Sequence, residues 1–170
     1  LVDDGGFESP VWGNTAIATP HISALAGNGT VFERAYTAVS SCSPSRSAIL
    51  SGLPTHQNGM YGLHQAPGNF QSSADVTSLP NLLNGAGYKT GILGKPHVGP
   101  LASYAFGYGT TAEHCWAGAL GNPSTDGTVA CRANYNSVTR NVTLMAANAR
   151  SFLVGLEPQK PFFLYVGFGD

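Results

Sequence analysis

The chain has 170 residues, 42% of them hydrophobic, and a formal net charge of −1. This composition is typical of a soluble globular core, and the lack of any Lys- or Arg-rich run argues against a nucleic-acid or anionic-membrane partner. No apolar run approaches the roughly 18 residues that a membrane span needs.

Strand and helix patterns alternate along the chain. Val2 ends an apolar strand, and a loop of two acids and two glycines follows it. A Thr-Pro pair predicts a helix over 19–27, and β-forming residues predict a strand or an extended segment over 30–38. Cys42 then opens a short helix that ends near Gly52.

The alternation continues in the second half of the chain. Ser78 is placed to cap a helix whose C-terminal signal is Gly87, and a strand is predicted over 88–94. Residues 100–135 lack strong periodicity and predict an irregular insertion. A helix with an apolar stripe follows, and Pro161 then starts a strand too continuously apolar for a sheet edge. The stripe consists of Val138, Val142, Met145, Ala149, Phe152, Leu153 and Leu156.

This order of elements predicts an α/β layered fold with a largely parallel sheet. We find no internal repeat and no domain boundary in the sequence. The chain opens on LVDDGG without a Met and closes on a strand pattern, so we interpret it as an internal fragment. The lack of a targeting segment therefore carries no information.

Ligands of such folds gather at the carboxyl ends of the strands, and three polar clusters lie where those ends are expected. The first is Asp3-Asp4, the second is the loop at Cys42, and the third is Gly94-Lys95-Pro96-His97. Adjacent carboxylates need a cation to stay ionised together, and their oxygens suit Ca²⁺ or Mg²⁺. The alternative is a turn with two solvated acids.

The start of the helix at Cys42 favours an anion. Its backbone N–H groups and the forked cation of Arg46 would hold a phosphate or a sulfate against residue 42. A thiolate nucleophile is one alternative, since the same environment lowers the pKa of a thiol. The spacing from Cys to Arg does not match the loop of protein tyrosine phosphatases.

The other two cysteines, Cys115 and Cys131, flank a polar loop. Pairing them would stabilise the fold by roughly 3 kcal/mol and would leave Cys42 as the odd, reactive thiol. The alternative is three free buried cysteines. Two glycosylation sequons, at Asn28 and Asn141, fit a secreted or lysosomal protein.

Residues 42–52 read CSPSRSAILSG and meet every fixed position of the sulfatase signature, Cys-x-Pro-Ser-Arg-x-x-x-Leu-(Thr or Ser)-Gly. The chain therefore resembles the sulfatase family, and in particular its sulfamidase branch. The resemblance covers 1–100, resumes near Asn141, and is lost over 109–136. The further stretches that carry it are LVDDGGFES, ATPHISALA, GLPTHQNGMYGLHQ, GYKTGILGKPHVGP and PFFLYVGF.

The resemblance implies an alkaline-phosphatase-like sandwich, with residues 1–170 as the N-terminal part of its catalytic domain. It implies that a formylglycine-generating enzyme, which reads Pro44 and Arg46, oxidises Cys42 to Cα-formylglycine. Asp3, Asp4 and the hydrate of residue 42 would then bind Ca²⁺.

The resemblance also implies catalytic roles. Arg46 would hold the hydrate and the sulfate, and Lys95 and His97 would bridge their oxygens. One hydroxyl of the hydrate attacks sulfur, and the second is deprotonated and expels sulfate. Without the family context, Lys95 and His97 are expected to be surface residues. His56 and His64 are interpreted as residues that support the site residues or pack, rather than as ligands.

The implied substrate is an N-sulfated or O-sulfated sugar, for example one derived from heparan sulfate, in a lysosomal or secreted protein. The distal metal ligands and the leaving-group acid are expected beyond residue 170, so the fragment alone should be inactive. Two alternatives are a phosphohydrolase or phosphonate hydrolase of the same superfold, and an inactive truncated relative.

Overall fold

The computed structural model describes residues 1–65, 67–111 and 138–169, which belong to two units. The larger unit contains residues 1–3 and the described residues from Ala38 onward. The smaller unit, Asp4–Thr37, contains helix α1 (Pro20–Asn28) after a short 3₁₀ helix at Pro10–Trp12. The helix predicted over 19–27 is therefore present.

Within the described residues, the larger unit contains a three-stranded parallel sheet. Its strands are β1 (Lys89–Gly94), β2 (Tyr108–Thr111) and β3 (Phe162–Gly167), in the order β2-β1-β3. The register pairs Gly94 with Gly167, so β1 and β3 end side by side. This arrangement confirms the predicted parallel sheet.

In the part of the chain that the structure describes, four helices with defined bounds accompany this sheet in the larger unit. The first begins at Cys42 and ends at Ser51, and the next residue, Gly52, is left-handed (φ 68°) and donates its N–H to the carbonyl of Ala48. A glycine in this conformation closes the helix without steric cost. The sequence predicted an end near Gly52. The helices are α2 (Cys42–Ser51), α3 (Thr55–Asn58), α4 (Leu79–Gly85) and α5 (Val142–Val154). Among the described residues, no helix has both the length and the apolar character required to cross a bilayer.

Helix α5 packs on β1, and its buried face is narrower than the apolar stripe predicted from the sequence. Met145 and Phe152 are buried, whereas Val142 and Leu153 are exposed. Phe152 lies directly over Gly91, where an added Cβ would come within 2.7 Å of its ring. A bulky aromatic ring thus fills the space that a glycine on the strand leaves open.

The core of the larger unit lies between α2, β1 and β3. Burial of each large apolar side chain contributes about 1.5–3 kcal/mol, so this cluster sets the position of α2 on the sheet. Its buried members are Leu50, Met60, Ile92, Val98, Tyr104 and Tyr165.

Two of the predicted elements are corrected. Of the strand or extended segment predicted over 30–38, no strand forms, and a turn at 33–34 interrupts the segment. The segment predicted as irregular over 100–135 contains a 3₁₀ helix, Leu101–Tyr104, and strand β2. Strand β2 has four residues, too few to show a period, and its pairing with β1 depends on the fold. Residues 112–137 lie outside the described residues, and the predicted Cys115–Cys131 disulfide stays a prediction.

The first residues extend the sheet without forming a full strand. The amino group of Leu1 donates to the carbonyl of Val166 at 2.8 Å, and the N–H of Phe168 donates to the carbonyl of Leu1 at 3.1 Å. These two bonds have the pattern of a parallel pair. Within the described residues β3 is last in the strand order, and Leu1 lies along its outer side.

Candidate active site

The candidate site lies where β1 and β3 end. Lys95 directly follows β1, Asp3 follows the residues that pair with β3, and Cys42 is the first residue of α2. Arg46, one turn along α2, reaches the same point. The structure thus brings together four side chains that the sequence singled out, at the edge where a parallel sheet is expected to bind ligands.

The carboxylate of Asp3 is held between two cations. Its Oδ1 accepts a hydrogen bond from Nη2 of Arg46 at 2.8 Å, and its Oδ2 accepts one from Nζ of Lys95. Burial raises the pKa of Asp3, but the hydrogen bonds and charges of Lys95 and Arg46 outweigh it and lower the pKa to about 2. Asp3 is therefore an ionised carboxylate at any physiological pH.

Arg46 connects the separate segments of the site. Besides Asp3, its Nη1 donates to the carbonyl oxygen of Lys95 at 2.6 Å and to the hydroxyl of Tyr165 at 3.2 Å. Its side chain is only 2% exposed. The guanidinium fork thus fixes the first residue after β1, a residue of β3 and Asp3 relative to α2.

Cys42 lies beside these charges. Nζ of Lys95 is 3.7 Å from Sγ of Cys42, and a carboxylate oxygen of Asp3 lies within 4.8 Å of that sulfur. The position at the start of α2 adds the positive end of the helix dipole. Lys95 and the start of α2 thus favour an anion at residue 42, whereas the carboxylate of Asp3 opposes one. Asp4 follows Asp3 in the chain, is exposed, and has φ 47°.

His97 enters the site as a neutral imidazole. The residue is 4% exposed, and its backbone has φ 54°, in the left-handed region. Burial, followed by the charges of Lys95 and Arg46, lowers the pKa of His97 to about 3. A neutral ring carries one N–H and one lone pair, so it can donate and accept at the same time.

Two polar side chains of the site were missed in the sequence. Tyr165 bonds to Arg46, and Gln65 forms a hydrogen bond through its Oε1 with Nε2 of His97. Tyr165 is the one residue with a polar tip in the apolar strand β3, a signal that could have identified it. Gln65 follows His64 in the stretch that carried the family resemblance. His64 itself is buried, and His56 is exposed.

Three buried hydroxyl groups form a ring of hydrogen bonds beside α2. Ser47, next to Arg46, bonds to Tyr104 at 2.7 Å and to Ser72 at 3.0 Å, and Ser72 bonds to Tyr104 at 2.6 Å. Each hydroxyl can donate once and accept once, so the ring is satisfied without water. It ties α2 to the segment that follows β1.

Two glycines let the strand ends approach Arg46. Gly94 has φ 83°, and an added Cβ there would lie 2.1 Å from the carbonyl oxygen of Gly167. A Cβ on Gly167 would lie 2.6 Å from the carbonyl oxygen of Lys95 and 2.9 Å from Nη1 of Arg46. The site therefore depends on the absence of side chains at these two positions.

We expect Gly167→Ala to disrupt the site. The new methyl group must displace the Lys95 carbonyl or the Arg46 guanidinium, and overpacking of this kind costs about 1–3 kcal/mol. A shift of about 1 Å in positioning groups lowers kcat by roughly 100-fold. Thermal unfolding and steady-state kinetics check both effects. Gly85→Ala, where an added Cβ meets nothing within 4 Å, is the matched control. Equal behaviour of the two variants would contradict the prediction.

The chain is similar to a known protein family and to several characterised proteins. Residues 2–170 match the family described as Sulfatase. The chain is 49% identical over 170 residues to human N-sulphoglucosamine sulphohydrolase, which covers all of this chain and 30% of that protein. It is 38% identical over 102 residues to an N-acetylgalactosamine-6-O-sulfatase of Bacteroides thetaiotaomicron, covering 58% of this chain and 20% of that protein. The chain thus spans less than a third of the length of these curated relatives.

The fold also matches a solved structure. A crystal structure of Ps i-CgsB in complex with k-i-k-neocarrahexaose superposes with a TM-score of 0.74 at 26% sequence identity, covering 99% of this chain and 43% of that chain. The predicted fold class, an alkaline-phosphatase-like α/β fold with a parallel sheet flanked by helices, is confirmed.

Proposed function

This chain belongs to the sulfatase family, and we propose that the protein hydrolyses the sulfate group of a sulfated amino sugar. The observation that carries the proposal is that residue 42 lies at the start of α2 beside Nζ of Lys95, while Arg46 bonds to the carbonyl of that same Lys95. These groups supply positive charge where a sulfate would lie and where further negative charge develops during displacement. Asp3 holds both cations in place.

We propose an N-sulfated glucosamine, such as one from heparan sulfate, as the substrate. The relative that is 49% identical over the whole chain is named for N-sulphoglucosamine, which supports this choice. The relative named as an O-sulfatase is 38% identical over 102 residues. An O-sulfated sugar is therefore the alternative substrate within the family.

Residue 42 would act as Cα-formylglycine in this proposal. As a hydrate, that group would supply one hydroxyl to attack sulfur and a second to expel sulfate. Lys95 is positioned to hold an oxygen at residue 42, since its Nζ lies 3.7 Å from Sγ. His97, as a neutral ring, can exchange a proton with a hydroxyl group, and Arg46 keeps Lys95 in register with α2.

A Ca²⁺ ion would fit the same donors. Asp3 is ionised, and each of its oxygens keeps a lone pair beyond the one that the Arg46 or Lys95 hydrogen bond uses. We propose Asp3, Asp4 and residue 42 as ligands, since oxygen donors suit this ion. The ion would add positive charge against the sulfate. Asp4 is included because it follows Asp3 in the chain.

The substrate assay tests the proposal. The full-length protein should release sulfate from N-sulfoglucosamine with a higher kcat/KM than from an aryl sulfate, and Lys95→Ala should abolish both reactions. Release of phosphate from an aryl phosphate or a phosphonate, without release of sulfate, would instead favour the phosphohydrolase alternative. No hydrolysis of any of these compounds would favour an inactive relative.

We predict that protein made in a secretory host carries formylglycine at residue 42. Trypsin should release the peptide that ends at Arg46, and mass spectrometry should find an aldehyde in place of the Cys42 thiol. Cys42→Ala provides the unmodified control. Active enzyme with only thiol at this position would refute the mechanism.

The modification requires a cell compartment that contains the formylglycine-generating enzyme. We therefore propose that the protein is lysosomal or secreted and glycosylated, in accord with the sequons at Asn28 and Asn141.

A further inference from the structure

We propose that Gln65 is a positioning residue for His97, and that its side-chain oxygen fixes which ring nitrogen of His97 carries the proton. This inference rests on the proposed function, because it assigns Gln65 a part in the same reaction. Oε1 of Gln65 forms a hydrogen bond with Nε2 of His97. An amide oxygen can only accept, so Nε2 bears the hydrogen and Nδ1 bears the lone pair.

The tautomer matters because the ring is neutral. A charged imidazole donates from both nitrogens, whereas a neutral one has a donor and an acceptor whose positions its partners determine. His97 is buried beside Lys95 and Arg46, which favours the neutral form. With Nε2 committed to Gln65, the ring can accept a proton from a hydroxyl group only at Nδ1.

Gln65 is itself held by its own loop. The carbonyl of Gln65 accepts a hydrogen bond from the N–H of Asn69 at 3.1 Å. The preceding residue, His64, donates its backbone N–H to Oγ of Ser43 on α2 at 2.9 Å and bonds through Nδ1 to the carbonyl of Phe70 at 2.9 Å. The amide of Gln65 thus starts from a backbone that is anchored to the helix bearing Cys42.

The same loop also contacts the segment that carries His97. The ring of His64 packs on Gly99, where an added Cβ would lie 2.4 Å from its Cε1. The N–H of Ser72 donates to the carbonyl of Gly99 at 2.8 Å. The described residues of 63–72 therefore contact both α2 and the segment after β1, and Gln65 contacts the ring of His97. This gives a role to Gln65, the last residue of the stretch GLPTHQNGMYGLHQ, beyond the packing or supporting role expected of its two histidines.

The test uses two variants of the full-length protein. Gln65→Met keeps the length of the side chain and removes the acceptor, whereas Gln65→Glu keeps an acceptor oxygen. Gln57→Met, at an exposed position of α3, is the matched control. Nitrogen-15 NMR of histidine-labelled protein, with His97 assigned by comparison with His97→Gln, reports the tautomer directly.

We expect Nε2–H for His97 in the wild type and in Gln65→Glu, and loss of that preference in Gln65→Met. In Gln65→Met, kcat on N-sulfoglucosamine should fall by about 100-fold with little change in KM, as expected when a reacting group is mispositioned. The melting temperature should stay close to that of the Gln57→Met control.

Two results would overturn the inference. The first is an unchanged His97 tautomer or an unchanged kcat in Gln65→Met. The second is a rise in KM with unchanged kcat, which would mean that Gln65 contacts the substrate directly. If the wild type released no sulfate, the proposed function would fail, while the NMR comparison would still decide whether Gln65 sets the tautomer of His97.

Discussion

Cys42→Ser in the full-length protein should give at most one turnover per active site and then stop. Serine keeps one oxygen at the attacking position, where Lys95 and the start of α2 remain, with Arg46 bonded to the carbonyl of Lys95. The serine oxygen can therefore displace the amine or alcohol from sulfur. It has no second hydroxyl from which a proton could be removed to expel sulfate, so the serine sulfate ester should persist.

Rapid mixing and intact-protein mass spectrometry measure this outcome together. A burst of released sugar, equal to the enzyme concentration, should accompany a sulfate adduct at residue 42. Cys42→Ala, which has no nucleophile, should show neither burst nor adduct. Sustained turnover by the serine variant would mean that water hydrolyses the intermediate, as in the alkaline-phosphatase type of mechanism, and would contradict the proposed role of a hydrate.

Arg46→Ala should lower the free energy of unfolding by about 3–5 kcal/mol, since it removes one partner of a buried ion pair. The guanidinium donates hydrogen bonds to Asp3, to the carbonyl of Lys95 and to the hydroxyl of Tyr165. Its loss leaves a buried carboxylate with Lys95 alone, together with a cavity beside α2. Arg46→Lys should recover only part of the stability, because an ammonium cannot reproduce the fork.

Denaturant unfolding checks the size of this effect. Arg150→Ala, at an exposed position of α5, is the matched control and should stay within about 0.5 kcal/mol of the wild type. The double variant Arg46→Ala, Asp3→Ala should lose less than the sum of the two single variants, because the two charges interact directly. A loss below about 1 kcal/mol for Arg46→Ala would show that the ion pair does not stabilise the larger unit.

Local signals in the sequence were sufficient for the elements that carry the site. Helix α2 begins at Cys42 and ends before Gly52 as predicted, since its end depends on a left-handed glycine and on backbone bonds over four residues. Strand β1 lies where a short apolar run ends at Gly94, next to the predicted site residue Lys95. The sequence also predicted that the candidate site residues lie together at the strand ends, because parallel strands bring their carboxyl ends to one edge of the sheet.

Local signals failed where pairing or packing decides the conformation. The segment 30–38 contains β-forming residues but no strand, whereas the four residues of β2 became a strand because β1 offers them an edge. Along α5 the apolar stripe is wider than the buried face, since the space above Gly91 admits Phe152 and leaves Leu153 exposed. Propensity alone carries no information about such partners.

The sequence by itself determined the family signature, the parallel α/β order and the identity of Asp3, Cys42, Arg46, Lys95 and His97 as candidate site residues. Only the tertiary structure decided which long-range contacts hold these side chains in position. Arg46 meets Asp3 across 43 residues of chain and Tyr165 across 119, and Gln65 meets His97 across 32. Contacts at such separations form only after the core has brought α2 against the sheet, and no periodicity or local motif encodes them.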